Sequence, residues 1–382
     1  MKTISDDNLT EAMRDAYPEL ETVRAASEDP VYLVGGAVRD LLLGRGRSAN
    51  VDLVVEGDAA ALADQLGPEV LEHERFGTAT VRVGELEVDV AATRTETYAA
   101  AGALPEVTLG APIEADLARR DFTLNALAVG LKGGGLIDPH GGRADLDSGR
   151  LRVLHRDSFR DDPTRALRAA RYAARLGFGL ERGTEELVRV ADLGAVSADR
   201  REAELLRLAS EATAVRGFEL LSGWGLIVLR AEGLKLVARV IELLSAPPWL
   251  GFAPTAPSVA RAALGPDGVG GAGTVGEHEL AAAEPGRPSE AVALAGRRDP
   301  GELVVARALG AEWLDAYLLD WRTVSLEIDG AELIEAGVPE GPAVGRGLAE
   351  ALRMKLDGEL APGREQELAA AVTAARDDDG LA

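Results

Sequence analysis

The chain has 382 residues, 46% of them hydrophobic and only 4% aromatic, with no cysteine and a formal net charge of −23. That length exceeds one ordinary domain and predicts two to four, with cores filled mainly by Leu, Val and Ala. Disulfides and thiolate metal sites are excluded, no uncharged apolar run reaches the ~18 residues of a membrane span, and the start MKTISDDN lacks a signal-peptide core, so a cytoplasmic protein is expected.

In chain order, Val31–Val34 reads as a short strand, Gly35-Gly36 as a turn, and Ala37–Leu43 as one or two helical turns stopped by Gly44. Val51–Val55 is a second strand and Asp58–Leu66 a helix, while Thr78–Val83 and Leu86–Ala91 form a hairpin about Gly84-Glu85. Thr123–Val129 is expected to be helical, with a last short strand at Leu136–Ile137. From Asp161 the pattern is helical: Pro163 suits a first turn, and helices are expected through Leu176 and at Glu185–Ala191, Arg201–Ala214, Phe218–Gly223 and Leu234–Leu244. ALGPDGVGGA, Ala263–Ala272, reads as a linker or mobile loop, and broken helical pieces follow to about Ala375.

Four constellations carry chemistry. Gly35 and Gly36, between a strand and a helix, let backbone amides approach a phosphate, with Arg39 one turn on; plain turn chemistry is the commoner meaning of such a pair. Asn50 and Asp52 leave the same face of one strand, and Asp89 stands in a second, LEVDVAA; oxygen ligands on adjacent strands suit hard Mg²⁺ ions. Taken singly, Asp52 is as well explained as a strand-end cap and Asp89 as a solvated edge residue. In DLARRDFTLNALAV, Arg120 is placed to clamp a triphosphate and Asp121 to accept from a ribose hydroxyl, or Asp121 is a helix N-cap beside surface arginines. In DDPTRALRAARYAARLGF, Asp162, Arg165, Arg168 and Arg171 recur on one side of a helix. A solvated face is the plain meaning. An Asp/Arg pair also matches the amino donor beside a ring-nitrogen acceptor that cytosine and adenine share, and rejects guanine and uracil. Between Arg150 and Arg175 eight arginines face three aspartates, a basic strip able to hold a polyanion despite the acidic total.

LVGGAVRDLLLG, the strand with Asp52, RRDFTLNALA, DPHGGRADLDSGRLRVL and DDPTRALRAARYAARLGF follow one another as in class II tRNA nucleotidyltransferases, the family of CCA-adding enzymes and bacterial poly(A) polymerases. SADRREAELLRL resembles that family's neck motif and LEIDGAELIEAGVPEGPAVGRGLAEAL its tail. The resemblance implies an α/β nucleotidyltransferase head of the polymerase-β type over residues 1–148, then an all-α neck (149–215), body (216–290) and tail (291–382). It implies Mg²⁺-dependent, template-independent transfer of CMP and AMP from CTP and ATP to the tRNA 3′ end. It also implies contacts to the tRNA acceptor end and elbow, the latter through Leu326–Leu356. Gly35, Gly36, Arg39, Arg120, Asp121, Asn125, Asp162, Arg165, Arg168 and Arg171 fall on its nucleotide-binding positions, and Asp52, Asp89 and Asn50 on its catalytic metal positions. Asn50 departs from the pattern, which has Asp there; an amide oxygen coordinates without charge. Asp161 and Asp199 stand where Glu is usual. Poly(A), A-adding and CC-adding activities share these motifs, and Asn50 leaves room for a catalytically impaired tRNA- or nucleotide-binding protein.

Overall fold

The computed structural model describes Ser5 and residues 8–67, 70–73, 78–229, 231–264 and 273–376. The expected glycine-rich linker lies, from Gly265 to Ala272, outside the described residues. The chain divides into two compact units, Met1–Leu226 and Ile227–Ala382.

The first unit is built on β1 (Val31–Val34), β2 (Asn50–Val55), β3 (Val70–His73), β4 (Thr78–Val83), β5 (Leu86–Ala92), β6 (Arg94–Thr97), β7 (Glu106–Leu109), β8 (Ala128–Gly130) and β9 (Leu136–Ile137). Seven of these form one sheet in the order β3-β4-β5-β2-β1-β8-β9, and β6 with β7 form a separate ribbon. Within the large sheet β2 and β5 run parallel and the other pairs antiparallel. Alternation sorts the residues of β2 and β5 onto two faces. Val51, Leu53, Val55, Val88 and Val90 are buried on one, and helices Gly36–Leu42 and Ala59–Leu66 pack against the sheet. The second helix is capped by Asp58, whose side chain accepts from the amides of Ala60 and Ala61. The other face is apolar at one end, where Val34, Val54 and Ala128 join Ile113 and Leu117 of the helix Ile113–Ala118. At its other end that face is polar: in the parallel register Asp52 lies beside Asp89 and Asn50 beside Glu87.

Thr123–Val129 is not the expected helix. Thr123–Asn125 is a single 3₁₀ turn and Ala128–Gly130 is β8, paired with β1. The run is buried throughout, so no polar period distinguishes a buried strand from a buried helix. Downstream, the helix Thr164–Leu176 follows Pro163 as expected, whereas the next helices are Arg182–Val188, Ala198–Ala209 and Ala214–Gly223, with a break at Ser210–Thr213 in place of the continuous Arg201–Ala214. Ser210 and Thr213 are poor helix-interior residues, and their hydroxyls compete with the helical backbone.

The second unit is helical over its described residues, from Ala231–Leu244 to Arg364–Arg376. One of its cores gathers Ile328, Leu333, Val338, Ala351, Ala371 and Ala375. Gly347 allows the helices Pro342–Leu356 and Arg364–Arg376 to approach closely, since a Cβ there would lie 2.4 Å from the Ala371 carbonyl oxygen. Among the described residues no helix is long and apolar enough to cross a membrane.

Candidate active site

A cleft of 890 Å³ opens over the polar end of the sheet in the first unit, lined among others by Gly35, Gly36, Asp52, Asp89, Arg120, Asp121, Asn125, Asp162, Arg165 and Arg168. Residues far apart in sequence, expected to act together, are thus brought to one cavity. Asp52 and Asp89 form its acidic rung. Thr80 on β4 donates to Asp89 Oδ1 at 2.5 Å and fixes that carboxylate. Crowding by the cleft walls desolvates Asp52 and raises its carboxyl above the ordinary aspartate range; Arg120 and Arg168 pull against the rise and Asp89 adds to it. Gly35 is in the left-handed region (φ 69°). A Cβ there would meet Arg120 Nη1 at 3.1 Å and lie 3.9 Å from Asp52 Oδ2, so the turn makes room for a cation and an anion to approach each other. The Gly35 amide donates to the Leu127 carbonyl (3.0 Å) and is not free for a phosphate.

The opposite wall is cationic and held by carboxylates behind it. Asp116, fully buried, accepts from Arg119 (2.8 Å) and Arg120 (3.0 Å), and Arg119 also reaches Glu96 at 2.8 Å. Burial opposes ionisation of Asp116, but the two guanidiniums outweigh it and hold its carboxyl below the usual range. Arg120 Nε is buried with no hydrogen-bond partner among the described residues. Asp121 is engaged at both oxygens: Oδ1 accepts from the Phe122 amide (2.8 Å) and Asn125 Nδ2 (3.0 Å), Oδ2 from Arg168 Nε (2.8 Å). Burial works against its ionisation too, and Arg168, ahead of the Asn125 hydrogen bond, keeps its carboxyl lowered. Asp121 is not the expected helix N-cap, since the 3₁₀ turn that follows is capped by Phe122 with no side-chain cap bond, and both of its oxygens are engaged within the protein.

Asp162 receives three bonds on Oδ1, from the Thr164 amide and hydroxyl (3.0 and 2.6 Å) and from Arg200 Nη2 (2.9 Å). Oδ2 remains for a ligand. Arg165 is anchored at Ser158 Oγ (2.8 Å) and the Arg119 carbonyl (2.7 Å). Tyr98 donates to Glu96 (2.9 Å), and burial, with Glu96 beside it, pushes its phenol up to about 12.

Three expected residues stand off the cleft. Arg39 is 2% exposed, bonded to Asp40 (2.9 and 3.0 Å) and Asn125 (2.7 Å), with its guanidinium 5.4 Å from the Tyr172 ring; burial makes it a strut rather than a phosphate contact. Arg171 faces Glu204 (3.7 Å) and Glu211 (3.6 Å) and covers the same ring at 4.7 Å. Asn50 is exposed at the strand's edge and donates to Glu87 at 2.7 Å. Sequence reasoning missed Asp116, Glu96, Thr80, Tyr98, Arg200 and Glu204. Asp116 had a signal, since it precedes Arg119 and Arg120 by one helical turn, and Arg200 and Glu204 lie within the neck-like motif SADRREAELLRL; Thr80, Glu96 and Tyr98 come from strands and a strand end with no local pattern.

Among the described residues no three His, Cys, Asp or Glu side chains converge on one point. Asp52 and Asp89, hard oxygen donors on adjacent strands, nevertheless fit a Mg²⁺ ion, which takes one or two carboxylates and completes its shell with phosphate and water.

Residues 31–152 match the family model described as the poly A polymerase head domain. The chain is 42% identical over 229 residues to an A-adding tRNA nucleotidyltransferase of Geobacter sulfurreducens, a match covering 57% of this chain but only 26% of that protein's length. It is 35% identical over 366 residues to the CC-adding tRNA nucleotidyltransferase of Deinococcus radiodurans, covering 91% of this chain and 90% of the relative. Its fold superposes on the Thermotoga maritima CCA-adding enzyme complexed with tRNA at a TM-score of 0.70 and 25% identity, over 98% of this chain and 99% of that one. An α/β head with the motif order described above, continued by helices along the length of a relative, identifies the chain as a member of the tRNA nucleotidyltransferase family.

Proposed function

We propose that the protein adds CMP and AMP, without a nucleic-acid template, to the 3′ end of tRNA from CTP and ATP. The observation that carries this is the meeting in one cleft of the Asp52–Asp89 rung with Asp162 and Arg165. The 3′-hydroxyl oxygen attacks the α-phosphorus, the new P–O bond forms as the bond to the bridging α–β oxygen breaks, pyrophosphate leaves with that oxygen, and the hydroxyl proton is released to solvent. Asp52 and Asp89 would hold Mg²⁺, which supplies charge neutralisation on the triphosphate and acidifies the attacking hydroxyl. Arg120, whose Nε has no partner among the described residues, grips the triphosphate and Arg168 assists. Asp162 Oδ2 accepts from the exocyclic amine that cytosine and adenine share, and Arg165 donates to the adjacent ring nitrogen. In this scheme residues 1–148 carry the chemistry, 149–215 choose the base, and 216–290 and 291–382 form body and tail in a cytoplasmic enzyme.

A relative aligned along nearly the whole chain is CC-adding, which favours a partial, CC-adding enzyme as the second reading. Incubation with tRNAs lacking CCA, CA or A, each with single labelled nucleotides, separates the cases by product length. Extension to CCA is expected. Arrest after two cytidines establishes the partial enzyme, and tRNA binding without any extension overturns the enzymatic proposal in favour of a binding protein.

A further inference from the structure

Position 50 lacks the carboxylate that its strand neighbour Asp52 would lead one to expect, yet the face is not short of one. Asn50 on β2 and Glu87 on β5 are direct partners in the parallel register, one rung out from Asp52 and Asp89. Asn50 Nδ2 donates to Glu87 Oε1 at 2.7 Å. A carboxylate only accepts, so the amide nitrogen must face Glu87 and the amide oxygen must turn the other way. The bond therefore fixes both side chains. An aspartate at position 50 would instead oppose Glu87 with a like charge at the same rung, an arrangement that destabilises paired strands.

We propose that Asn50 and Glu87 act as one unit on the rung outside the cleft, next to the Asp52–Asp89 pair: Glu87 carries, one strand over, the negative charge that position 50 lacks, and Asn50 positions it. Glu87 does not converge with Asp52 and Asp89 on a single point. Its charge would act through the field at the rung, where Arg82 of β4 faces it from the other side, which makes it a positioning residue rather than a ligand. Asn50 is thus half of a compensated exchange. This rests on the proposed assignment of Asp52 and Asp89 to a cation, not on which nucleotides are added.

The test is a double-substitution cycle on the full chain with CTP present and tRNA absent, reading Mn²⁺ affinity from the free-ion electron paramagnetic resonance signal. Glu87→Gln is expected to weaken Mn²⁺ binding about tenfold, the scale seen when an outer partner of a metal site is lost. Asn50→Asp alone should not tighten binding, and should lower the unfolding temperature, because it sets two carboxylates face to face. Asn50→Asp combined with Glu87→Gln returns a carboxylate and an amide to the rung in exchanged places, and should recover the original affinity to within about twofold, the mark of coupled neighbours. CTP affinity in EDTA, unchanged across the set, shows that the cleft is intact. The proposal is overturned if Asn50→Asp tightens Mn²⁺ equally with Glu or Gln at position 87, or if Glu87→Gln leaves the affinity unchanged. Because no turnover is read, a protein that failed to extend tRNA would refute the proposed function and leave this cycle interpretable.

Discussion

Arg39 lies one turn into a helix from which a guanidinium can reach a phosphate, and yet it begins a buried polar chain. It holds Asn125, Asn125 holds Asp121, Asp121 holds Arg168, and Arg168 lies 3.5 Å from Glu204 of the helix Ala198–Ala209. Removing Arg39 leaves Asp40 with Arg175 at 3.9 Å and Asn125 with Asp121, so Arg39→Ala should lower stability by about 3 kcal/mol, the lower end for breaking a buried ion pair. Denaturant unfolding measures it; a normal midpoint with a raised nucleotide KM would return Arg39 to the phosphates. Asp121 makes this chain sensitive to acid, and Asp116 does the same for its own cluster with Arg119 and Arg120. Their folded carboxyls are lowered, so the stability they add is complete above the unfolded aspartate value, about 4, and is lost as pH falls through the folded values. Asp121→Asn should be less stable than the natural chain at neutral pH, and that gap should shrink as thermal unfolding is followed below about pH 4. A gap independent of pH would mean that the Asp121 charge contributes nothing. None of this linkage was legible in RRDFTLNALA, where Asp121 and Asn125 stand together but their partners Arg39 and Arg168 are 86 and 47 residues away.

At the scale of elements, the strands that alternate or carry β-branched residues declared themselves: Val31–Val34, Asn50–Val55 and the hairpin Thr78–Val83 with Leu86–Ala92 fall within a residue of expectation. β8 did not, because burial on both faces erases its period. The β6–β7 ribbon did not either, since RTET and EVTL are mostly polar and owe their pairing to position beside the cleft. The carboxylate rung was legible because period two fixes a face and both strands were recognised. The Asn50–Glu87 pair was not, since register between strands is a tertiary fact. The ribbon's connection carries a contact that can be tested. Gly102 has φ 68°, its carbonyl accepts from Arg200 Nη1 (3.0 Å), and a Cβ there would fall 2.2 Å from the Ala195 carbonyl oxygen. Gly110, at the other end of the ribbon, has φ 81° and nothing within 4 Å of a Cβ. Both Gly→Ala changes incur the left-handed penalty of about 1–2 kcal/mol. Gly102→Ala must in addition push backbone from backbone, so its loss in denaturant unfolding should be clearly the larger. Equal losses would remove the close packing of Gly102 on Ala195.

For the whole molecule the question is how a chain of charge −23 holds a polyanion. Residues 227–382 contain 25 acidic and 14 basic side chains, and several of those cations are already engaged. Arg353 binds Glu350 (2.8 Å), Asp357 (3.0 Å) and Glu359 (2.7 Å), Lys355 binds Glu367 (2.6 Å), and Arg364 binds Glu332 (2.6 Å). The segment Leu326–Leu356, expected to meet the tRNA elbow, therefore has little free positive charge in Arg353 and Lys355. The salt-sensitive part of binding would then fall to the basic strip of the first unit, where Arg156 is exposed and Arg160 is only loosely paired with Asp157 at 3.7 Å. Removing one cation from a phosphate lowers the slope of log affinity against log salt by about one. Arg156→Ala should accordingly weaken tRNA binding and flatten that slope by about one unit. Arg353→Ala should lower the unfolding temperature, because Glu350 loses its cation and Asp357 and Glu359 are left to share Arg287, and leave the slope as it was. Filter binding of whole tRNA across a salt series measures both. If Arg353→Ala flattens the slope as much as Arg156→Ala does, the tail's arginine reaches phosphate when RNA is bound, and the internal ion pairs give way to it.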